Sequence, residues 1–261
     1  MKHLKKLTLL LAVISLLFSV SCSKDDGDED INIDLKNVTF PFTSAKQPIN
    51  QTIINNLNNS GDQNGLLISS QLSTVNFMTI WLSLFEHPTG ATETNTPISA
   101  CGGSALVYTF TASDDGQSFT MAYQICETTD KYIFQIFVSV NGNAMEEFIY
   151  AEESKADLLE GYMEIYAGSF GEVEEDSNSD VYLKYTWKEA ADGSIVYTAA
   201  DSENQFLLTI DMEEDHSGSL SLKEDGLLTY EATWNATGTA GTYAYYDSEG
   251  NVTDSGNWPS N

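Results

Sequence analysis

The chain has 261 residues, with 39 acidic side chains against 11 lysines, no arginine, and a formal net charge of −28 at pH 7. Such a charge opposes nucleic-acid backbones, and without arginine there is no bidentate clamp for phosphate or carboxylate. Nucleic-acid binding is excluded, while a hydrophobic content of 41% suffices for the core of one large β domain or two smaller ones.

The chain opens with Lys2, Lys5 and Lys6 ahead of an apolar run from Leu7 to Val20. The run is too short for a permanent membrane helix, which needs about 20 apolar residues. Residues 1–21 therefore have the layout of a secretory signal peptide and stand outside the fold. The run ends on Ser19-Val20-Ser21-Cys22, which resembles a bacterial lipobox. The following "SKDDGDED" (Ser23 to Asp30) resembles the acidic export signal of surface lipoproteins of Bacteroidota. This resemblance implies that Cys22 is lipidated and begins the mature protein. It also implies an outer-membrane location, with residues 22–40 as a lipidated acidic linker and the body exposed at the cell surface. The plain alternative for the acids is a solvated tether. Several acyl chains hold firmly where a single chain holds marginally, so the membrane is a partner through the anchor. Removal of Lys2, Lys5 and Lys6 leaves 8 lysines against 39 acids, a net charge of −31.

Residues 41–97 read as an N-terminal helical segment. In "INQTIINNLNNSG" (Ile49 to Gly61) the residues Ile49, Ile53 and Leu57 recur one helical turn apart, and Gly61 is a stop signal. "LLISSQLSTVNFMTIWLSLF" (Leu66 to Phe85) carries no charge. Its apolar residues Ile68, Leu72, Val75, Met78, Leu82 and Phe85 line one helix face. A buried helix is the preferred reading of residues 66–85. A strand, from the alternation Val75, Phe77, Thr79, Trp81, and a membrane span are the alternatives.

No proline occurs between Ile98 and Trp258, as a long sheet requires if every ladder donor is to be used. Turn signals recur at 113–116, 141–143, 191–193, 201–204, 215–218, 224–226 and 247–251. Between them lie β-rich runs such as "ALVYTF", "QSFTMAYQI", "KYIFQIFVSV", "DVYLKYTW" and "LLTYEATW". The fold class is therefore mainly β. Residues 98–261 form an antiparallel up-and-down meander of about 11–12 strands, as a strongly curved sheet or a closed or half-open barrel. One or two N-terminal helices pack against or inside it, and 41–261 is read as one domain. "KYIFQIFVSV" is apolar on both faces, whereas "DVYLKYTWK" alternates cleanly. Early strands are thus expected to be covered on two faces and later ones on one.

With Cys22 acylated, Cys101 and Cys126 remain, flanking a predicted hairpin in an oxidising compartment, and a structural disulfide is expected. His87 precedes Pro88 in a turn. His216, beside Glu213, Glu214 and Asp215, is read as part of a solvated hairpin turn, since contiguous residues on a strand end alternate faces and rarely converge on one ion. Asp176, Asn178 and Asp180 have the oxygen spacing that opens a calcium loop. Val181 and Trp187 replace the glycine and glutamate an EF-hand needs, which leaves a weak calcium site at most and no other cofactor. No nucleophile elbow, P-loop or dinucleotide fingerprint is present.

Three function classes compete. The first is a lipid-anchored surface binding protein without an evident catalytic site, its partner a glycan or another surface molecule. The second is a carrier of a hydrophobic small molecule in a barrel cavity, similar in outline to the lipocalins and the half-barrel lipoprotein carriers. The only G-x-W triplet, Gly256-Asn257-Trp258, lies at the far end of the chain from its place in lipocalins. The third is a glycan hydrolase with an unrecognised carboxylate pair.

Overall fold

A computed structural model describes residues 33–38, 49–82, 85, 90–114, 117–155, 160–166, 181–201 and 205–259, with the side chains of 33–34, 76–82 and 114 excepted. Three helices come first: α1 (Ile33–Lys36), α2 (Gln51–Asn58) and α3 (Gln63–Leu82). Thirteen strands follow: β1 (Thr92–Thr94), β2 (Ser104–Asp114), β3 (Gln117–Glu127), β4 (Lys131–Val140), β5 (Glu146–Ser154), β6 (Glu160–Tyr166), β7 (Val181–Glu189), β8 (Ile195–Asp201), β9 (Phe206–Met212), β10 (Gly218–Glu224), β11 (Leu227–Trp234), β12 (Gly241–Tyr246) and β13 (Val252–Trp258). They lie in one sheet in exactly their sequence order, the up-and-down meander the turn spacing predicts. Because β1 and β13 are both edges, the sheet is not closed into a barrel.

The count exceeds the sequence expectation at both ends. β1 falls inside the segment read as helical. β12 and β13 carry few β-branched apolar residues but are paired by the five-residue turn at Asp247–Asn251. Residues 63–82 are a helix, as the 3.6-residue period indicates, with Ile68, Leu72 and Val75 buried. Among the described residues no helix is long and apolar enough to cross a membrane.

Two compact units share the sheet. The first comprises residues 1–39, 84–156 and 165–180, and the second residues 40–83, 157–164 and 181–261. In the first, β2 to β5 are buried on both faces, as the double apolar set of β4 requires. One face packs Leu106, Tyr108, Tyr123, Ile125, Phe134, Ile136 and Ile149, with Phe85 lying against it. The other packs Val107, Ala122 and Phe137 with Met145.

In the second unit the alternation is strict, and cross-strand pairing gathers one apolar face: Tyr185, Trp187, Tyr197, Ala199, Leu208, Ile210, Leu220, Tyr230, Ala232 and Trp234. Helices α2 and α3 cover its β11–β12 end. The Asn56 amide donates to the Thr237 carbonyl at 2.7 Å, and the Tyr245 hydroxyl bonds Asn64 Oδ1 at 3.1 Å. Two tryptophans repeat one device along this face. Gly218 lies opposite Trp234, whose indole N–H donates to the His216 carbonyl at 2.9 Å. Gly241 lies opposite Trp258, whose N–H donates to the Thr233 carbonyl at 3.0 Å. In each pair the glycine leaves room for the indole: a Cβ on Gly218 would stand 2.5 Å from the Trp234 ring, and one on Gly241 would stand 2.7 Å from Trp258 Nε1.

Candidate functional site

The residues singled out by sequence do not converge. Cys22, His87, Asp176, Asn178 and Asp180 lie outside the described residues. His216 is exposed on the β9–β10 turn, where Asp215 accepts from the Ser217 N–H at 2.9 Å and hydroxyl at 2.6 Å. These bonds hold the Asp215 carboxyl below its ordinary range. Asp192 accepts the same two bonds from Ser194 on the β7–β8 turn and is lowered for the same reason. Acids of this kind are turn-formers. Among the described residues no group of three or more His, Cys, Asp or Glu side chains could hold a metal ion.

Cys101 and Cys126 are joined, with their Cα atoms 5.8 Å apart. They are not opposite one another in the ladder, because Cys126 faces Ala105 and Cys101 belongs to the loop folded back before β2. The same loop is pinned by Gln124, whose side chain is fully buried. Its Oε1 accepts from the Ile98 N–H at 2.7 Å. Its amide donates to Gln135 Oε1 at 2.7 Å, and Gln135 in turn donates to Glu147 Oε1 at 2.6 Å. This satisfied polar network on the second face of β3–β5 is structural.

The first face of the same strands is different. Tyr108 and Tyr123 stack at 6.1 Å, Phe85 meets Tyr123 at 5.4 Å and Phe134 at 6.1 Å, and Tyr132 adjoins Phe134 at 6.3 Å. These five rings form a ribbon across β2, β3 and β4. At its β5 end stands a cross-strand row of Glu127, Tyr132 and Glu153. The two acids of that row are treated unequally. Lys155 reaches over the Tyr132 ring, 5.3 Å from its centroid, to bond Glu127 Oε1 at 2.7 Å. Glu153 is 1% exposed, and neither of its carboxyl oxygens has a hydrogen-bond partner among the described residues. Burial pushes its pKa up to about 9, so it is a neutral acid at pH 7. A buried polar group left without a partner costs about 1–3 kcal/mol, and native structures seldom carry one without a reason. Period two is the signal that finds it: Ile149, Ala151 and Glu153 share one face of β5.

On the second unit the outer face of β6 and β7 is open. Lys184 bonds Glu164 at 2.7 Å and lies 4.4 Å over the Tyr162 ring, while Lys188 bonds Glu160 at 2.9 Å. Tyr182, on the same face of β7, is 66% exposed. From Thr186 a row of hydroxyls crosses four strands in register: Thr186 opposite Thr198, Thr198 opposite Thr209, and Thr209 opposite Ser221. Adjacent members stand about 4.8 Å apart in such a ladder, and Thr186 and Thr198 bond each other at 2.6 Å. Sequence alternation places these residues on the solvent face but does not reveal the exposed ring or the self-neutralised charges. No protein-family model matches the chain, and no curated protein sequence matches it either.

Proposed function

We propose that this is a lipid-anchored binding protein displayed at the cell surface, which takes a neutral glycan on the outer face of β6 to β10. The lipobox-like Cys22 and the acidic run behind it support the anchor and the location. The outer strip of the second unit carries the binding reading: an exposed Tyr182 ring, a Lys184–Tyr162 stack, and a row of hydroxyls that both donate and accept. On β7 the lysines are paired with Glu160 and Glu164, while Asp211 of β9 and Lys223 of β10 bring one further charge of each sign to the same face. The strip is therefore polar and neutral in sum, in a molecule whose net charge turns anionic partners away. Rings offer a stacking surface to the C–H face of a sugar, and the flanking polar groups fix its orientation.

The carrier reading loses its closed lumen, because both sheet edges are open. The hydrolase reading needs two free carboxyls at a sugar, whereas Glu160 and Glu164 are held by lysines.

Affinity electrophoresis of the mature chain through gels containing neutral polysaccharides tests this reading. Retardation by at least one polysaccharide is expected, falling at least fivefold in Tyr182→Ala with an unchanged melting temperature. Unretarded migration of the folded protein through every neutral polysaccharide contradicts it.

A further inference from the structure

We propose that Glu153 is the anchor of a second binding site, in the first unit, for a small hydrophobic amine whose ammonium seats between Glu153 and the Tyr132 ring. The row Glu127–Tyr132–Glu153 supplies its own template. On one side of Tyr132 an ammonium, that of Lys155, lies over the ring and bonds the carboxylate of Glu127. On the other side stands a second carboxyl, more deeply buried and without a partner. The missing element is a second ammonium.

The neighbouring lysines do not supply it. Lys155 is used on Glu127 and Lys131 on Glu152. The apolar remainder of the ligand would lie on the half-buried Tyr132 ring, because Phe134, Phe85, Tyr123 and Tyr108 behind it are closed core. The strongly negative body draws cations towards it and rejects acids of the same size. Binding balances in protons. A neutral amine takes the proton of Glu153. An ammonium that arrives already charged leaves that proton to be released to water. Either route ends in a charge-assisted ammonium–carboxylate bond beside an aromatic ring. This site is independent of the glycan-binding strip, which lies in the other unit.

The test uses the mature chain, residues 22–261, with Cys22→Ser so that no acyl chain competes. Three probes of similar size are titrated by calorimetry: 2-phenylethylammonium, 2-phenylethanol and 3-phenylpropionate. The proposal expects saturable 1:1 binding of the ammonium, with no binding of the carboxylate. Glu153→Gln should weaken the ammonium at least tenfold and change the alcohol less than twofold. Glu153→Asp, which keeps the carboxyl group, should retain part of the affinity and guards against a fold defect in the glutamine variant. Absence of ammonium binding to the folded protein overturns the proposal and leaves ordered water as the partner of Glu153. Equal ammonium binding by Glu153→Gln, or equal losses for amine and alcohol, overturns it as well.

Discussion

His216 occupies, in the β9–β10 turn, the left-handed position that Gly193 holds in the β7–β8 turn. The two turns close with the same bonds, Glu213 N–H to Ser217 O and His216 N–H to Glu213 O in one, Ala190 N–H to Ser194 O and Gly193 N–H to Ala190 O in the other. The backbone angles agree, with φ of 72° at His216 and 84° at Gly193. A residue with a Cβ pays about 1–2 kcal/mol in this region, and glycine returns part of that as chain entropy. His216→Gly should therefore stabilise the protein by about 0.5–1 kcal/mol. Urea unfolding measures it, and a loss of stability would show that the imidazole makes a contact the turn geometry does not require.

Glu153 makes stability depend on pH. Its folded pKa lies near 9, above its unfolded value of 4.5. Below about pH 4.5 both states hold the proton and the acid contributes nothing to the slope. From there to about pH 9 the folded state alone holds it, so stability falls as pH rises, by at most about 1.4 kcal/mol per unit. Glu153→Gln removes this dependence. Its stability relative to the parent should rise steadily across urea titrations at pH 5, 6.5 and 8. A difference independent of pH would mean that Glu153 ionises normally in the fold.

The two glycine–tryptophan pairs predict an unusual sensitivity to one methyl group. In Gly218→Ala the new Cβ meets the Asp211 carbonyl at 2.4 Å and the Trp234 ring at 2.5 Å, and in Gly241→Ala it meets the Thr233 carbonyl at 1.8 Å. Overpacking of this kind costs about 1–3 kcal/mol. Each variant should melt earlier and show red-shifted tryptophan emission, whereas Gly142→Ala, which meets nothing within 4 Å, should leave the emission unchanged.

Gln124 and the Cys101–Cys126 bridge hold the same loop and should be coupled. Replacing both cysteines by alanine should cost about 2–4 kcal/mol, and Gln124→Leu about 1–3 kcal/mol through the groups it leaves unpaired. Because each loosens the loop the other secures, the combined loss should fall short of the sum by at least about 0.5 kcal/mol. Additive losses would show that the bridge and the amide act on separate structures.

The meander was legible because its signals are local: turn residues at fixed spacing, a proline-free stretch, and alternation that sorts Tyr185 and Trp187 from Lys184 and Thr186. Helix α3 was legible from Ile68, Leu72 and Val75. β1 was missed because three residues, Thr92 to Thr94, carry no period. β12 carries a weak sequence signal because its face is made of Gly241, Tyr243 and Tyr245, whose partners are fixed only by pairing. The unequal acids of the first unit were hidden for a related reason. Glu127 and Glu153 look alike in sequence, and only the ladder brings them to either side of Tyr132, with one lysine to serve them both.

The central claim, an anchored body displayed outside the cell, is tested most directly by protease treatment of intact cells. The parent chain is compared with a variant in which Asp25, Asp26, Asp28, Glu29 and Asp30 are replaced by asparagine or glutamine. The account predicts that the parent is digested in intact cells, while the variant remains lipidated at Cys22 and is digested only after the outer membrane is opened. A parent chain that survives intact-cell digestion and is cleaved only after that opening would contradict it.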